Sequence, residues 1–158
     1  MGHTNLCPHK NDTGDAKPIK QAPKRLPLAK KATGSEEVKK MLEMDTIKPS
    51  SSSWSSPIVL AAKKTVEVRF CIDYRKTNAV TKTDSFPIPR IDDSLATLGG
   101  SSWFSILGMA SGYWQVSMDP EDAEKTAFVT EDGLFEFKVL AFGLCNAGTT
   151  FQRFMQLV

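Results

Sequence analysis

The sequence has little of what most function classes require. Its two histidines, His3 and His9, both lie within the first ten residues, so a histidine-based nucleophilic triad has no base in the body of the chain. Its three cysteines, Cys7, Cys71 and Cys145, are odd in number and far apart, which argues against a disulfide framework or a Cys-x-x-Cys zinc or redox pair. His3, Cys7 and His9 could supply three metal ligands, but a structural zinc takes four, and the segment around them reads as a loose terminus. The longest strongly apolar run is Pro57-Ile-Val-Leu-Ala-Ala62, far below the roughly 20 residues of a membrane span, so no membrane partner is expected. The opening Met-Gly-His-Thr-Asn is not the basic-then-apolar start of a secretory signal. Phosphate-cradling Gly-x-x-x-x-Gly-Lys, the Gly-x-Ser-x-Gly elbow and His-Glu-x-x-His are all missing. The expectation left is an intracellular soluble protein.

What is present fits one domain. The chain has 158 residues, 41% of them hydrophobic, enough for a real core. A net charge of +2 hides an asymmetry: residues 1–48 carry 10 Lys/Arg against 6 Asp/Glu, and residues 49–158 carry 10 against 12. Seven basic and two acidic residues lie between Lys10 and Lys31, interrupted by Pro18, Pro23 and Pro27. Residues 1–34 therefore read as a flexible, basic, Pro- and Lys-rich arm, suited to a phosphate backbone or another acidic surface. The alternative is a solvated linker that binds nothing.

Residues 35–158 read as the folded body. Ser35 can cap a helix whose Val38, Met41 and Leu42 form an apolar stripe, and a serine-rich lead-in follows, with Trp54 as its anchor. Residues 58–62 and 66–73 alternate as two strands, with Val66, Val68, Phe70 and Ile72 on one face. Asp84 to Pro89 is extended, and Ile91, Leu95 and Leu98 make one face of a short helix ending at Gly99-Gly100. Asp92-Asp93 at its start suit the helix dipole. Trp103 to Leu107 reads as a buried strand. Asp119-Pro120 opens a further helix, Lys125 to Thr130 and Leu134 to Val139 form a hairpin around Asp132-Gly133, and Asn146 caps a helix with Phe151, Phe154, Met155 and Val158 on one face. The pattern stops on that apolar face, which reads as a piece of something larger. Interleaved strands and short helices give an α+β fold class.

Several strings resemble the reverse transcriptase of gypsy-class long-terminal-repeat retrotransposons. They are Trp54-Ser-Ser-Pro-Ile-Val-Leu60, Arg69-Phe-Cys-Ile-Asp-Tyr-Arg-Lys-Thr-Asn78, Phe86-Pro-Ile-Pro-Arg-Ile-Asp-Asp93 and Ala110-Ser-Gly-Tyr-Trp-Gln-Val116. Lys125-Thr-Ala-Phe128, Phe142-Gly-Leu-Cys-Asn-Ala147 and Thr150-Phe-Gln-Arg153 follow in family order. The resemblance implies the fingers and part of the palm of a right-hand polymerase. It implies RNA or DNA as a partner, bound here weakly and salt-sensitively. It places Arg69 on the incoming nucleotide's phosphates, helped by Lys63 or Lys64; the alternative is an ordinary exposed strand arginine. A guanidinium fork suits phosphate oxygens. Tyr113 would lie under the nucleotide sugar, or be a core tyrosine. Phe142 and Gly143 would line the template side of the pocket, with Phe142 as plain core the alternative.

The same resemblance identifies what is missing. The family holds Mg²⁺ with carboxylates that stabilise both attacking and leaving oxygens. The first of these aspartates falls at Gly108, which has no side chain to ligate anything, and Asp119 is too far along to replace it. The other two belong to a Tyr-x-Asp-Asp hairpin absent from these 158 residues. No catalytic residue, no metal ligand and no retained cofactor are therefore expected, and a non-catalytic nucleic-acid-binding or protein-interaction module is the alternative to an inactive polymerase domain. Further departures are Thr65-Val66 where the fingers hairpin commonly turns on Asp-Gly, Asp45 where a glycine is usual, and Ala141 and Gly148 in place of two prolines.

Overall fold

The computed structural model describes residues 2–62 and 68–158. In chain order the regular elements are β1 (Thr4–His9), α1 (Leu28–Glu43), β2 (Ile47–Pro49), β3 (Ser56–Ala62), β4 (Val68–Ile72) and α2 (Arg75–Val80). These are followed by α3 (Ile91–Thr97), β5 (Val116–Met118), β6 (Phe128–Val129), β7 (Leu134–Phe137) and α4 (Ala147–Met155). Five strands form a mixed sheet in the order β2-β7-β6-β3-β4, and β1 pairs with β5 in a separate parallel ribbon. β3 and β4 are antiparallel, with Ile58 opposite Ile72 and Leu60 opposite Phe70, while β3 runs parallel to β6 through Ser56 and Phe128. The expected turn at Asp132-Gly133 does join β6 to β7, with Gly133 at φ 143°. The expected α+β architecture stands.

Alternation on the strands builds the core. Phe128 has no exposed surface, and its ring meets Phe70, Phe135 and Phe137 at centroid distances of 5.9, 5.9 and 5.4 Å. Val38 and Met41 of α1 reach the same cluster, as their spacing requires, whereas Leu42 lies on the exposed side. Trp54 is buried and does anchor the serine-rich lead-in. Tyr74 is wholly buried and donates to the Thr126 carbonyl at 2.7 Å, and burial pushes its phenol pKa up.

α1 starts at Leu28, behind Pro27, well before the Ser35 cap expected from sequence. Ser35 lies inside the helix and donates instead to the Asp132 carboxylate at 2.7 Å, while Lys31 pairs with Glu131 at 2.7 Å. Both contacts tie α1 to the β6–β7 turn. The helix ends in a Schellman arrangement: the Asp45 N–H donates to the Leu42 carbonyl at 3.0 Å and the Thr46 N–H to the Met41 carbonyl at 3.0 Å. Asp45, where the family usually has glycine, takes the left-handed φ of 56° that this motif demands.

Residues 1–34 are not a free arm, and residue 34 falls inside α1. The chain from β1 onward is a strap with three stations on the body. His9 is wholly buried, with Nδ1 2.8 Å from the Thr150 hydroxyl of α4. Asn11, also buried, donates its N–H to Asp122 at 2.8 Å and accepts from Thr81 at 3.1 Å. Further along, Ser55 and Gln21 exchange hydrogen bonds, and Lys24 reaches Asp73 at 2.6 Å. Basic composition reads as flexible only when its buried exceptions carry no weight; here His9 and Asn11 are buried polar residues whose partners lie far along the sequence.

The stretch from Pro87 to Ala110 contains no buried residue. α3 forms where its periodicity predicted, but Ile91, Leu95 and Leu98 face outward. Trp103 to Leu107, expected as a buried strand, is irregular and exposed: Trp103 is 93% and Leu107 95% accessible. A strand needs a neighbour for its backbone groups, and among the described residues none runs beside it. Two smaller expectations change as well. Asp119-Pro120 leads into a single 3-10 turn, Ala123–Thr126, and of the apolar face expected for α4 only Phe154 is buried, Phe151 being half-buried and Met155 and Val158 exposed.

Candidate nucleic-acid groove

β4 is an edge strand, so its outer side is open. Phe70 and Ile72 turn toward the core and Arg69 is exposed, as alternation predicts. Across the groove from β4 lies the segment that carries Trp114. Ser111, at φ 50°, introduces a 3-10 turn over Gly112–Gln115. Gly112 lets the turn pack tightly on Phe151, since a Cβ there would lie 3.0 Å from its Cζ and the ring would have to shift. The turn presents Tyr113, whose ring stacks on Phe142 at 5.0 Å and 23° and is backed by Phe151 at 5.2 Å. Trp114 meets Phe142 at 6.4 Å.

Between these walls lies a groove of about 560 Å³, lined by Glu37, Met41, β4 from Arg69 to Ile72, Trp114, Phe137, Phe142 and Gly143. It brings three of the residues expected from sequence together: Arg69, Phe142 and Gly143. Tyr113 stands behind Phe142 rather than on the groove wall. Phe142 is 57% exposed, which disposes of the alternative that it is plain core. Gly143 takes a left-handed φ of 96° against the Tyr74 ring and the Ile72 carbonyl. Lys63 and Lys64, and the Thr65-Val66 turn, lie outside the described residues. Sequence reasoning missed Glu37, Met41 and Trp114 as groove residues. Trp114 had a signal in its place beside Tyr113; Glu37 and Met41 had none, since only tertiary packing brings α1 to β4.

Charge concentrates where β4 ends. The Asp73 carboxylate accepts Lys24 Nζ at 2.6 Å and two guanidinium nitrogens of Arg75 at 2.7 Å each. These cationic donors hold its pKa well below the usual carboxylate range. The fork leaves Arg75 highly exposed yet fixed in direction. Lys24 and Arg75 thus gather on Asp73 just past the end of β4, while Arg69 lines the groove together with Trp114 and Phe142. Cationic and stacking groups facing each other are what a polynucleotide strand requires.

The expected metal position fares differently. Gly108 is exposed, and a Cβ built there would meet nothing within 4 Å. Asp119 is engaged elsewhere: its Oδ1 caps the Glu121 N–H at 3.1 Å and its own N–H donates to the His9 carbonyl at 2.9 Å. Among the described residues no group of three His, Cys, Asp or Glu side chains could hold a metal ion. Gly108 itself brings no side-chain donor to this position. Among those residues, too, no helix is long and apolar enough to cross a membrane.

A family model described as reverse transcriptase (RNA-dependent DNA polymerase) matches residues 61–158. The chain belongs to the reverse transcriptase family. It is 38% identical to the retrovirus-related Pol polyprotein from transposon 297 of Drosophila melanogaster, over 96% of this chain and 15% of that protein. With the Pol polyprotein from transposon gypsy of the same fly it shares 41% identity, over 74% of this chain and 12% of the polyprotein. An RNA-directed DNA polymerase homolog of Oenothera berteroana is 46% identical over 59% of this chain and 66% of its own length. The chain therefore spans a small part of the Drosophila polyproteins that it matches.

The reverse transcriptase fold extends over nearly all of the chain. Prototype foamy virus protease-reverse transcriptase superposes with a TM-score of 0.86 at 23% identity, covering 98% of this chain and 21% of the viral one. The foamy viral enzyme in complex with an RNA/DNA hybrid superposes at 0.79 and 20% identity, with 98% and 21% covered. The strap on β5, the mixed sheet and α4 are all within the matched region. The fold is thus the fingers and partial palm of a reverse transcriptase.

Proposed function

We propose that this chain is a reverse transcriptase module that binds nucleic acid without performing templated synthesis itself. The observation that carries the loss of synthesis is Gly108, at the position where the family has a metal-binding aspartate. Phosphoryl transfer depends on cations held at both reacting oxygens, and several kcal/mol of lost transition-state stabilisation lowers the rate by about 10³-fold or more. Primer extension by the purified chain with Mg²⁺ or Mn²⁺ tests this. No extension is expected; template-dependent incorporation of nucleotides would overturn it.

The binding half rests on the groove. Its exposed Phe142 and the guanidinium of Arg69 offer stacking and phosphate contact together, and the Asp73-braced Arg75 lies just past the end of β4. Foamy viral relatives of the same fold are found with dsDNA and with an RNA/DNA hybrid, which supports the same ligand class here. Few cations line the groove, so the association is weak and falls linearly as log affinity against log salt, with a slope set by the phosphates neutralised. An affinity unchanged between low and moderate salt would refute this. One observation favours a competing reading as a protein-interaction module, namely the exposed apolar side chains from Ile88 to Met109. A chain that fails to bind oligonucleotide yet self-associates reversibly would favour that reading.

A further inference from the structure

A side chain of α2 holds the loop that carries Phe142 and Gly143 to the groove. Asn78, in α2, donates from Nδ2 to the Gly143 carbonyl at 2.8 Å and accepts the Cys145 N–H on Oδ1 at 3.1 Å. The partners fix the amide's orientation, since a carbonyl can only accept and an N–H can only donate. Asn146 makes the reciprocal pair: Nδ2 donates to the Lys82 carbonyl at 2.8 Å, and Oδ1 accepts the Asp84 N–H at 3.0 Å. Each asparagine bridges the segment that carries the other. Arg153 extends the seam, pairing with Asp84 at 2.8 Å and lying 4.5 Å over the Phe86 ring.

This seam decides where Phe142 sits. Gly143 rests on the end of β4, close to the Ile72 carbonyl and the Tyr74 ring. With the Gly143 carbonyl and the Cys145 N–H both fixed by Asn78, the loop has little freedom to slide along β4. Phe142, immediately before it, is then held with one face on Tyr113 and most of its surface in the open. Without that restraint a half-exposed aromatic ring has a nearby apolar groove to fall into, lined by Met41, Trp114 and Phe137.

We infer that Asn78 is a positioning residue for the groove, holding Phe142 out as a stacking platform for a nucleobase. This rests on the nucleic-acid reading of the groove given above. An amide is needed because a side chain of this length must offer one donor and one acceptor together. Aspartate at neutral pH offers acceptors alone, and leucine offers neither.

The test uses the full chain with Asn78→Asp, Asn78→Leu and Phe142→Ala. Two properties are read: affinity for a fluorescent single-stranded oligonucleotide at low salt, and the rate of thiol alkylation at exposed Cys145, resolved by peptide mass. Asn78→Leu loses both hydrogen bonds; it should weaken oligonucleotide binding about tenfold and speed Cys145 alkylation about fivefold. Asn78→Asp keeps the acceptor for the Cys145 N–H but opposes the Gly143 carbonyl. It should weaken binding to a similar extent while leaving Cys145 alkylation within about twofold of the parent. The double variant of Asn78→Leu with Phe142→Ala should bind no more weakly than Phe142→Ala alone, because both act through one ring. Additive losses in the double variant overturn the inference. So does a parallel change of both properties, in both Asn78 variants, that simply tracks the melting midpoint. A parent chain that binds no oligonucleotide refutes the groove reading instead, and the alkylation contrast between the two Asn78 variants still decides whether the loop is held as described.

Discussion

Two neighbouring stretches of similar apolar content meet opposite fates. From Val116 to Leu140, the residues Val116, Met118, Phe128, Phe135, Phe137, Val139 and Leu140 are all at most 8% exposed. From Ile88 to Met109, nine large apolar side chains are all between 41% and 95% exposed. Hydrophobicity does not separate them; pairing does. Val116 accepts from the Leu140 N–H at 2.8 Å, the Met118 N–H donates to Lys138 at 2.9 Å, and β6 has β3 on one side and β7 on the other. The stretch from Trp103 to Leu107 has the composition of a strand and, among the described residues, no ladder to join. Burial follows once the backbone groups are satisfied, because an unpaired N–H or C=O taken from water costs as much as a lost hydrogen bond.

The largest expected effect breaks or confirms that contrast directly. Phe128→Ala should cost about 3–5 kcal/mol, since it empties a site closed by three other phenylalanines. Trp103→Ala, removing a larger ring, should change stability by no more than about 0.5 kcal/mol. Urea titrations of the two variants against the parent chain provide the comparison. A Trp103 variant as damaged as the Phe128 variant would mean that the 87–111 stretch is buried in solution.

Much of this was legible in the sequence, and the failures share a cause. Strands β3 and β4, the turn at Gly133, the burial of Val38 and Met41, and the helices α3 and α4 follow from local periodicity and turn chemistry. The groove residues Arg69, Phe142 and Gly143 came from the family strings and do meet in space. What could not be read was whatever depends on a distant partner. The strap looked flexible because His9, Asn11 and Lys24 find Thr150, Asp122 and Asp73 only after folding. Trp103 looked buried because composition does not reveal whether a neighbouring strand exists. α2 was missed because six residues are too few for a period to show. Asn78 was visible within a family string, but its role depends on a loop that lies far along the chain.

The next effect tests the buried end of the same contrast. His9 has no exposed surface, and among the described residues its Nε2 has no hydrogen-bond partner. With the proton on Nδ1, facing Thr150, Nε2 is a bare lone pair; a second proton would place an N–H there with no acceptor. Burial accordingly pushes its pKa down to about 4, against a smaller upward pull from Asp122 and Asp84. The folded pKa lies below the unfolded value of 6.5, so the unfolded chain binds the extra proton first. The contribution is complete above pH 6.5 and is lost as pH falls from there toward 4, amounting to about 3 kcal/mol over the full window. Denaturant midpoints between pH 7 and 4.5 should fall for the parent chain, and the His9→Gln variant should show a shallower decline. Equal slopes in the two chains would place the acid sensitivity elsewhere.

The smallest effect concerns a residue that is exposed, paired and still strained. Asp45 stays in the left-handed region at φ 56°, which costs a side-chain-bearing residue roughly 1 kcal/mol. Its carboxylate recovers part of that through Lys138 at 2.6 Å, which holds the Asp45 pKa below its ordinary value. The carboxylate is well exposed, so solvent screens the pair strongly and its contribution shrinks further as salt rises. Asp45→Gly removes both the strain and the pair. Raising salt weakens only the pair, so the glycine variant should gain on the parent as sodium chloride increases, from near equality at low salt to an advantage of about 0.5–1 kcal/mol at high salt. Paired melting curves across that range measure it. A glycine variant that loses ground as salt rises would show that the cap is held by something other than backbone conformation and one screened ion pair.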